Sequence, residues 1–249
     1  MRSIGRETRL LLISNSTVCG SGYLDHVERE IREFVGNAAR IVFVPFAVHD
    51  RRAYAAKADE RFRKMGLSLR SIHDVSNVNR AIDAADAIFV GGGNTFRLLK
   101  GLYDHDLIAS IRGRVAAGMP YIGSSAGSIV ACSTLKTTKD MPVVQPPSFE
   151  ALGLVPFQIS PHYLDPDPAS THMGETQEER ITQFLEENSE AVVGLREGCL
   201  LRVEEGTVTL KGTNTARIFR CGEEPIEAAP GSNLYELLRA PTCVLGADA

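Results

Sequence analysis

Tyr121-Ile122-Gly123-Ser124-Ser125-Ala126-Gly127-Ser128 is the stretch whose reading decides the fold. Tyr121 and Ile122 close an apolar, β-leaning run, and Ser128-Ile129-Val130-Ala131-Cys132 can continue as a buried helix. Between them stands Gly-x-Ser-x-Gly, with Ser125 at its centre. A serine at a tight strand-to-helix turn is held in a strained conformation that pushes its hydroxyl clear of the sheet. Strand and helix then nearly touch, so the positions two residues to either side must be glycine. The following N–H, that of Ala126, lies at the helix start and can face a developing oxyanion. The bare pattern is common by chance. The strand before it and the helix after it give it weight.

Working outward, residues 10–14, 40–45 and 87–90 are built on the apolar runs 10–13, 41–44 and 87–90, the pattern of parallel strands buried on both faces. Residues 23–35, 50–65, 78–85, 96–102 and 107–117 carry helical spacing, and 67–72 alternates like an edge strand. This alternation predicts an α/β fold, a parallel sheet covered on both faces, with ligands bound beyond the carboxyl ends of the strands. Gly91-Gly92-Gly93-Asn94 and the Ser125 turn both fall at such ends. After Thr134 comes an irregular loop, then a strand at 154–160, a proline-punctuated loop and a helix opened by Thr176-Gln177-Glu178-Glu179, a capping-box pattern. Short strands at 191–195, 200–203, 207–211 and 216–219 read as an extension that closes the sheet. Nothing resembles an interdomain linker. The expectation is one domain over 1–249, with 1–8 and 241–249 as tails.

The chain has 249 residues, 43% of them hydrophobic, and a net charge of −4 without a dense Lys/Arg run, which argues against nucleic acid or an anionic membrane as partner. No stretch reaches the length of a membrane span, and the polar N-terminus reads as no signal peptide. The five cysteines are scattered without a C-x-x-C pair and read as reduced thiols in a cytoplasmic protein. Cys132 reads as core packing.

A serine nucleophile needs a base. Of the six histidines, His26 and His105 read as surface residues and His49 and His73 are poorly framed. His162 follows a strand and so shares the rim of Ser125, with His172 further along the same loop. For the carboxylate that orients the imidazole, Asp140 is favoured by its place between serine and histidine, with Glu175, Asp165 and Asp167 competing; Asp-Pro-Asp-Pro is also a natural turn builder. The triglycine can supply a second oxyanion donor. It matches neither phosphate-loop pattern. A metal site from His162, Asp165, Asp167, His172 and Glu175 has acceptable ligand types, but its spacing fits no helix-borne motif.

These residues resemble the S51 family of serine peptidases, the peptidase E or α-aspartyl dipeptidases. The likeness runs through Ile88 to Phe96, Tyr121 to Ser128, Thr137-Thr138-Lys139-Asp140-Met141-Pro142, Ser160-Pro161-His162 and Gly174-Glu175-Thr176, in family order. It implies a flavodoxin-like three-layer sandwich, similar to the class I glutamine amidotransferases. It also implies a triad of Ser125, His162 and Asp140, an oxyanion hole from Gly92, Gly93 and Ala126, and substrate contacts from Asn94 and Glu175. Family members cleave dipeptides with an N-terminal aspartate, in the cytoplasm and without metal or cofactor. A small peptide is then the expected partner; the sequence leaves the oligomeric state open, a homodimer among the options.

One position departs. The family carries an arginine directly after Gly-Glu-Thr that meets the substrate's aspartyl carboxylate; here it is Gln177, and the nearest arginine is Arg180. A neutral amide makes no charge-assisted bidentate pair. Strict aspartate selectivity is therefore open, and a cyanophycinase-like or broader exopeptidase is the rival reading. A non-catalytic binding domain is the reading from outside enzymology.

Overall fold

Leu10-Leu11-Leu12-Ile13 carries no polar side chain because, as β1, it is covered on both faces. Leu10 and Leu12 enter one core, Leu11 and Ile13 the other, the period-two alternation of a strand with two apolar faces. The computed structural model describes residues 5–171 and 173–239, so His172 and the expected tail 241–249 lie outside the described residues. Thr8, placed in the other tail by expectation, is buried.

The chain continues through α1 (Glu28–Val35), β2 (Ile41–Val44), α2 (Arg51–Lys64), β3 (Leu69–Ser71), α3 (Val78–Asp83), β4 (Ala87–Val90), α4 (Thr95–Asp104), α5 (Leu107–Ala116) and β5 (Tyr121–Ser124). The four-residue α6 (Ala126–Ile129) follows, then β6 (Gln158–Pro161), α7 (Gln177–Glu187), β7 (Val192–Leu195), β8 (Cys199–Glu204), β9 (Thr207–Gly212), β10 (Ala216–Phe219) and β11 (Ile226–Ala228). The main sheet runs β3-β2-β4-β5-β1-β8-β9, its first five strands parallel and β8 and β9 antiparallel. Helices α1 and α2 pack on one face through Ile31, Phe34, Ala58 and Phe62. Helices α3 to α5 pack on the other through Ile82, Leu98, Leu102 and Ile111. The protein is thus a mixed α/β fold about a mainly parallel sheet.

Two expectations need correcting. Only β8 and β9 extend the main sheet; β6, β7, β10 and β11 form a second sheet in the order β11-β10-β7-β6, with β6 and β7 parallel. Ile159, Val193 and Leu195 turn its inner face to the α4–α6 core, while Val192 and Phe219 turn outward to α7. The helix after Ser125 is also far shorter than its apolar sequence suggests. It stops because the carbonyls of Val130, Ala131 and Cys132 accept from the N–H groups of Leu152, Leu154 and Gly153 instead of continuing a helical ladder.

Cys132 is fully buried and its thiol pushed up to about 12 by desolvation, a packing residue without nucleophilic character. Cys19, Cys132 and Cys199 are free, but Cys221 is disulfide-bonded, so the expectation of reduced thiols throughout does not hold. Among the described residues no helix is long and apolar enough to cross a membrane.

The glycines of the elbow are demanded by contact. A Cβ on Gly123 would overlap the Gly127 carbonyl, and one on Gly127 would overlap the carbonyl of Val90. Gly113, exposed in α5, would carry a Cβ into open space. Gly127→Ala should therefore cost about 3 kcal/mol or more, whereas Gly113→Ala should be neutral or gain about 0.5–1 kcal/mol. Urea unfolding of the two variants beside the parent measures both.

Candidate active site

Ser125 leaves β5 with φ 52° and ψ −110°, a combination L-residues avoid. Such a conformation costs about 1–3 kcal/mol and persists only where neighbours impose it. Here they do. The Ser125 N–H donates to the Ile13 carbonyl at 2.9 Å, and the Ser128 hydroxyl lies 2.8 Å from the Ile13 and 2.9 Å from the Gly123 carbonyl oxygens. The buried Tyr121 hydroxyl donates to the Gly127 carbonyl at 2.6 Å. The turn is thereby fastened to β1, β5 and its own first helical residues.

His162 comes directly after β6. Its Nε2 is 2.9 Å from Ser125 Oγ and its Nδ1 is 2.7 Å from a carboxylate oxygen of Glu197. The strands explain the pairing: β6 and β7 are parallel with Pro161 opposite Leu195, so His162 and Glu197 emerge side by side from adjacent strand ends. His162 has φ 51°, and its N–H donates to Ser14 Oγ at 2.9 Å.

Asp140, the expected orienting carboxylate, is placed elsewhere. Its Oδ2 accepts from the Thr95 N–H and hydroxyl, both at 2.6 Å, and from the Thr138 hydroxyl at 3.1 Å. It caps the start of α4 and holds the 136–141 loop against it; His162 takes Glu197 instead. Glu197 is missed in the sequence because Arg196-Glu197-Gly198 looks like a turn between short strands.

The three expected oxyanion donors differ in their partners. The Gly92 N–H is turned to the Tyr54 hydroxyl, whose pKa burial raises while that bond and the one with Tyr23 act in opposition. Among the described residues the N–H groups of Gly93 and Ala126 have no protein acceptor. Gly93 adopts φ 132°, and a Cβ there would strike the Ala47 carbonyl. Asn94 caps α4 by accepting from the Arg97 N–H and donates to the Met141 carbonyl, so both ends of its amide are engaged within the protein.

Gln177 also faces inward. Its Oε1 accepts from the Leu164 N–H and from Lys139 Nζ, and its Nε2 donates to the His162 carbonyl. Lys139 donates as well to the carbonyls of Pro161, at 2.7 Å, and His162, at 3.1 Å. Beside this cluster lies a cleft between the 136–139 loop and α7, lined by Lys136, Lys139, Ser160, Arg180 and Phe184. Arg180 is half-exposed and its guanidinium is 3.6 Å from Glu175, whose other oxygen accepts from Gln183. Asp165 pairs with Arg196, and Asp167 accepts from the Ala169 N–H as a turn residue. His26 is half-buried near Asn15 and not a surface residue, and His105 stacks on Phe46. Among the described residues no group of three or more His, Cys, Asp or Glu side chains is placed to hold a metal ion.

A mainly parallel sheet with a serine on a strained elbow, a histidine at its hydroxyl and a carboxylate behind the histidine defines a class: α/β hydrolytic enzymes with a serine nucleophile. Residues 10–211 match the model of Peptidase family S51, and the chain belongs to that family of serine peptidases. It is 52% identical over 229 residues to peptidase E of Streptomyces coelicolor, covering 92% of this chain and 94% of that one. It is 43% identical to a probable alpha-aspartyl dipeptidase of Drosophila melanogaster, covering 92% and 97% of the two chains. The crystal structure of a peptidase from an acI-B1 actinobacterium has a similar fold, with a TM-score of 0.70 at 14% identity over 91% of this chain and 96% of that one.

Burial pulls Lys139 down from 10.5 to about 8, partly countered by the charges of Asp140 and Glu197. Between those two values the unfolded chain holds a proton that the folded one has released, so stability attributable to this side chain rises with pH across that window. Below pH 8 the full cost of the buried charge is present; above 10.5 it is gone. Relative to Lys139→Met, the parent should gain stability in urea unfolding as pH is raised through that interval. A difference that stays level or falls would contradict the burial argument.

Proposed function

We propose that this serine peptidase is a dipeptidase that cleaves peptides with an N-terminal acidic residue, Asp-Xaa above all, through an acyl-enzyme on Ser125. The observation that carries this is the unbroken relay from Ser125 Oγ through the His162 ring to Glu197. His162 Nε2 removes the Ser125 proton as Oγ attacks the scissile carbonyl. The N–H groups of Gly93 and Ala126 receive the oxyanion, worth about 3–4 kcal/mol for a single such donor. His162 then protonates the leaving amine, and a water activated by the same ring hydrolyses the ester. Glu197 keeps the imidazole in the tautomer that presents a lone pair to Ser125 and stabilises the imidazolium.

The acidic preference is supported by the name of the Drosophila relative and by the cleft beside His162, where Lys136, Lys139 and Arg180 cluster. Gln177 lines the same cleft, with its amide bonded to His162, Leu164 and Lys139. Arg180, half-exposed and only loosely paired, is the cation we assign to the substrate carboxylate. The broader exopeptidase reading predicts the opposite: no advantage for Asp-Leu over Ala-Leu.

Ser125→Ala should abolish hydrolysis of Asp-Leu with its melting temperature kept. Glu197→Gln should lower kcat by roughly 10²–10⁴ with little change in KM, the size seen when an orienting carboxylate is neutralised. Asp140→Asn should act by another route, losing about 1–3 kcal/mol of stability as the start of α4 loosens. Arg180→Ala should lower kcat/KM for Asp-Leu roughly tenfold or more, the loss of one charge-assisted contact, and leave Ala-Leu unchanged. Equal losses on both substrates would remove Arg180 from recognition.

A further inference from the structure

The nucleophile, the base and the carboxylate follow the ends of three different strands, and all three are tied to one short piece of chain. Residues Ile13, Ser14 and Asn15, where β1 ends, make those ties. The Ile13 carbonyl accepts from the Ser125 N–H. Ser14 Oγ accepts from the His162 N–H at 2.9 Å and donates to the Leu195 carbonyl at 2.7 Å, at the end of the strand that leads to Glu197. Asn15 Oδ1 accepts from the Gly198 N–H at 2.8 Å, one residue beyond Glu197, and Nδ2 donates to the Thr17 carbonyl. Topology makes this arrangement available. β1 lies between β5, with Ile13 opposite Ser124, and β8, with Ile13 opposite Leu200, so its end reaches both the elbow and the Glu197 turn.

We propose that Ser14 and Asn15 are positioning residues, which set the distance between Ser125 and the His162–Glu197 pair without touching substrate. The proposal rests on the relay read above. Both side chains are polar and buried, at 0% and 1% exposure, where an unpaired group is costly, and each is fully engaged. Nothing in the packing needs a hydroxyl at 14: alanine has nearly the same volume. What the hydroxyl does is join two backbones from the second sheet to the end of a strand in the first. His162 is also held at positive φ, so its backbone needs an external partner to remain there. Displacing a reacting group by about 1 Å can cost on the order of 10²-fold in rate.

The test is a kinetic double-mutant cycle on Asp-Leu. Ser14→Ala should fold, lower kcat roughly ten- to a hundredfold and change KM less than about twofold. In the Glu197→Gln background, where alignment is already broken, Ser14→Ala should cost less than about threefold, because residues that act as one unit are not additive. A purely structural role predicts the same loss in both backgrounds, and that outcome overturns the proposal, as does wild-type kcat in folded Ser14→Ala. Should Ser14→Ala not fold, Asn15→Ala takes its place in the cycle under the same two criteria. Near-normal activity in Glu197→Gln alone would instead defeat the relay itself, a result visible before either β1 variant is made.

Discussion

The close approach of α6 to the ends of β4 and β5 is the constraint on which the site depends. Gly127 lies against the Val90 carbonyl and Gly123 against Gly127, so the chain can turn there only through a residue in a disfavoured conformation, and that residue is Ser125. The same approach leaves the Ala126 N–H at the helix start without a protein acceptor among the described residues, and sets Gly92 where an added Cβ would crowd Ser125 Cβ. One steric fact thus yields both the strained turn at Ser125 and the unbonded N–H beside it. The strain is offset by the buried bonds of Tyr121, Ser128 and the Ile13 carbonyl, none of which takes part in chemistry.

Electrostatics are arranged around the histidine, not the serine. Its Nδ1 faces a carboxylate, its carbonyl faces the Lys139 ammonium, and its N–H is held by a neutral hydroxyl. Lys139 is the unusual member, a partly buried cation whose partners are carbonyl and amide oxygens. Arg196 performs the complementary task on the far side of Glu197. It binds Asp165 and Glu227 and lies over the Tyr163 ring, which fastens the end of β7.

Much of this was legible in the sequence, for identifiable reasons. Unbroken apolar runs such as Leu10–Ile13 fit strands covered on both faces, and a glycine-flanked serine between such a run and a helix fits a tight turn. His162 could be found because a strand precedes it directly. Glu197 could not, since its closeness to His162 follows from the parallel register of β6 and β7, which composition does not encode. Asp140 lies between serine and histidine in the chain, yet its hydrogen-bond partners belong to α4 and its own loop. Gln177 lines the cleft beside α7, as its place in the motif suggests, and its amide is at the same time bonded to the His162 backbone. The second sheet was hidden because strands of four residues read alike whichever sheet they join.

That second sheet has a mechanical consequence. His162 and Glu197 issue from neighbouring strands of one sheet, while Ser125 issues from the other. The 2.9 Å contact between Ser125 Oγ and His162 Nε2 therefore crosses the seam between the sheets, as do the bonds of Ser14 Oγ to the His162 N–H and the Leu195 carbonyl. The geometry at Ser125 and His162 is thereby set by bonds that join the sheets and not by either sheet alone.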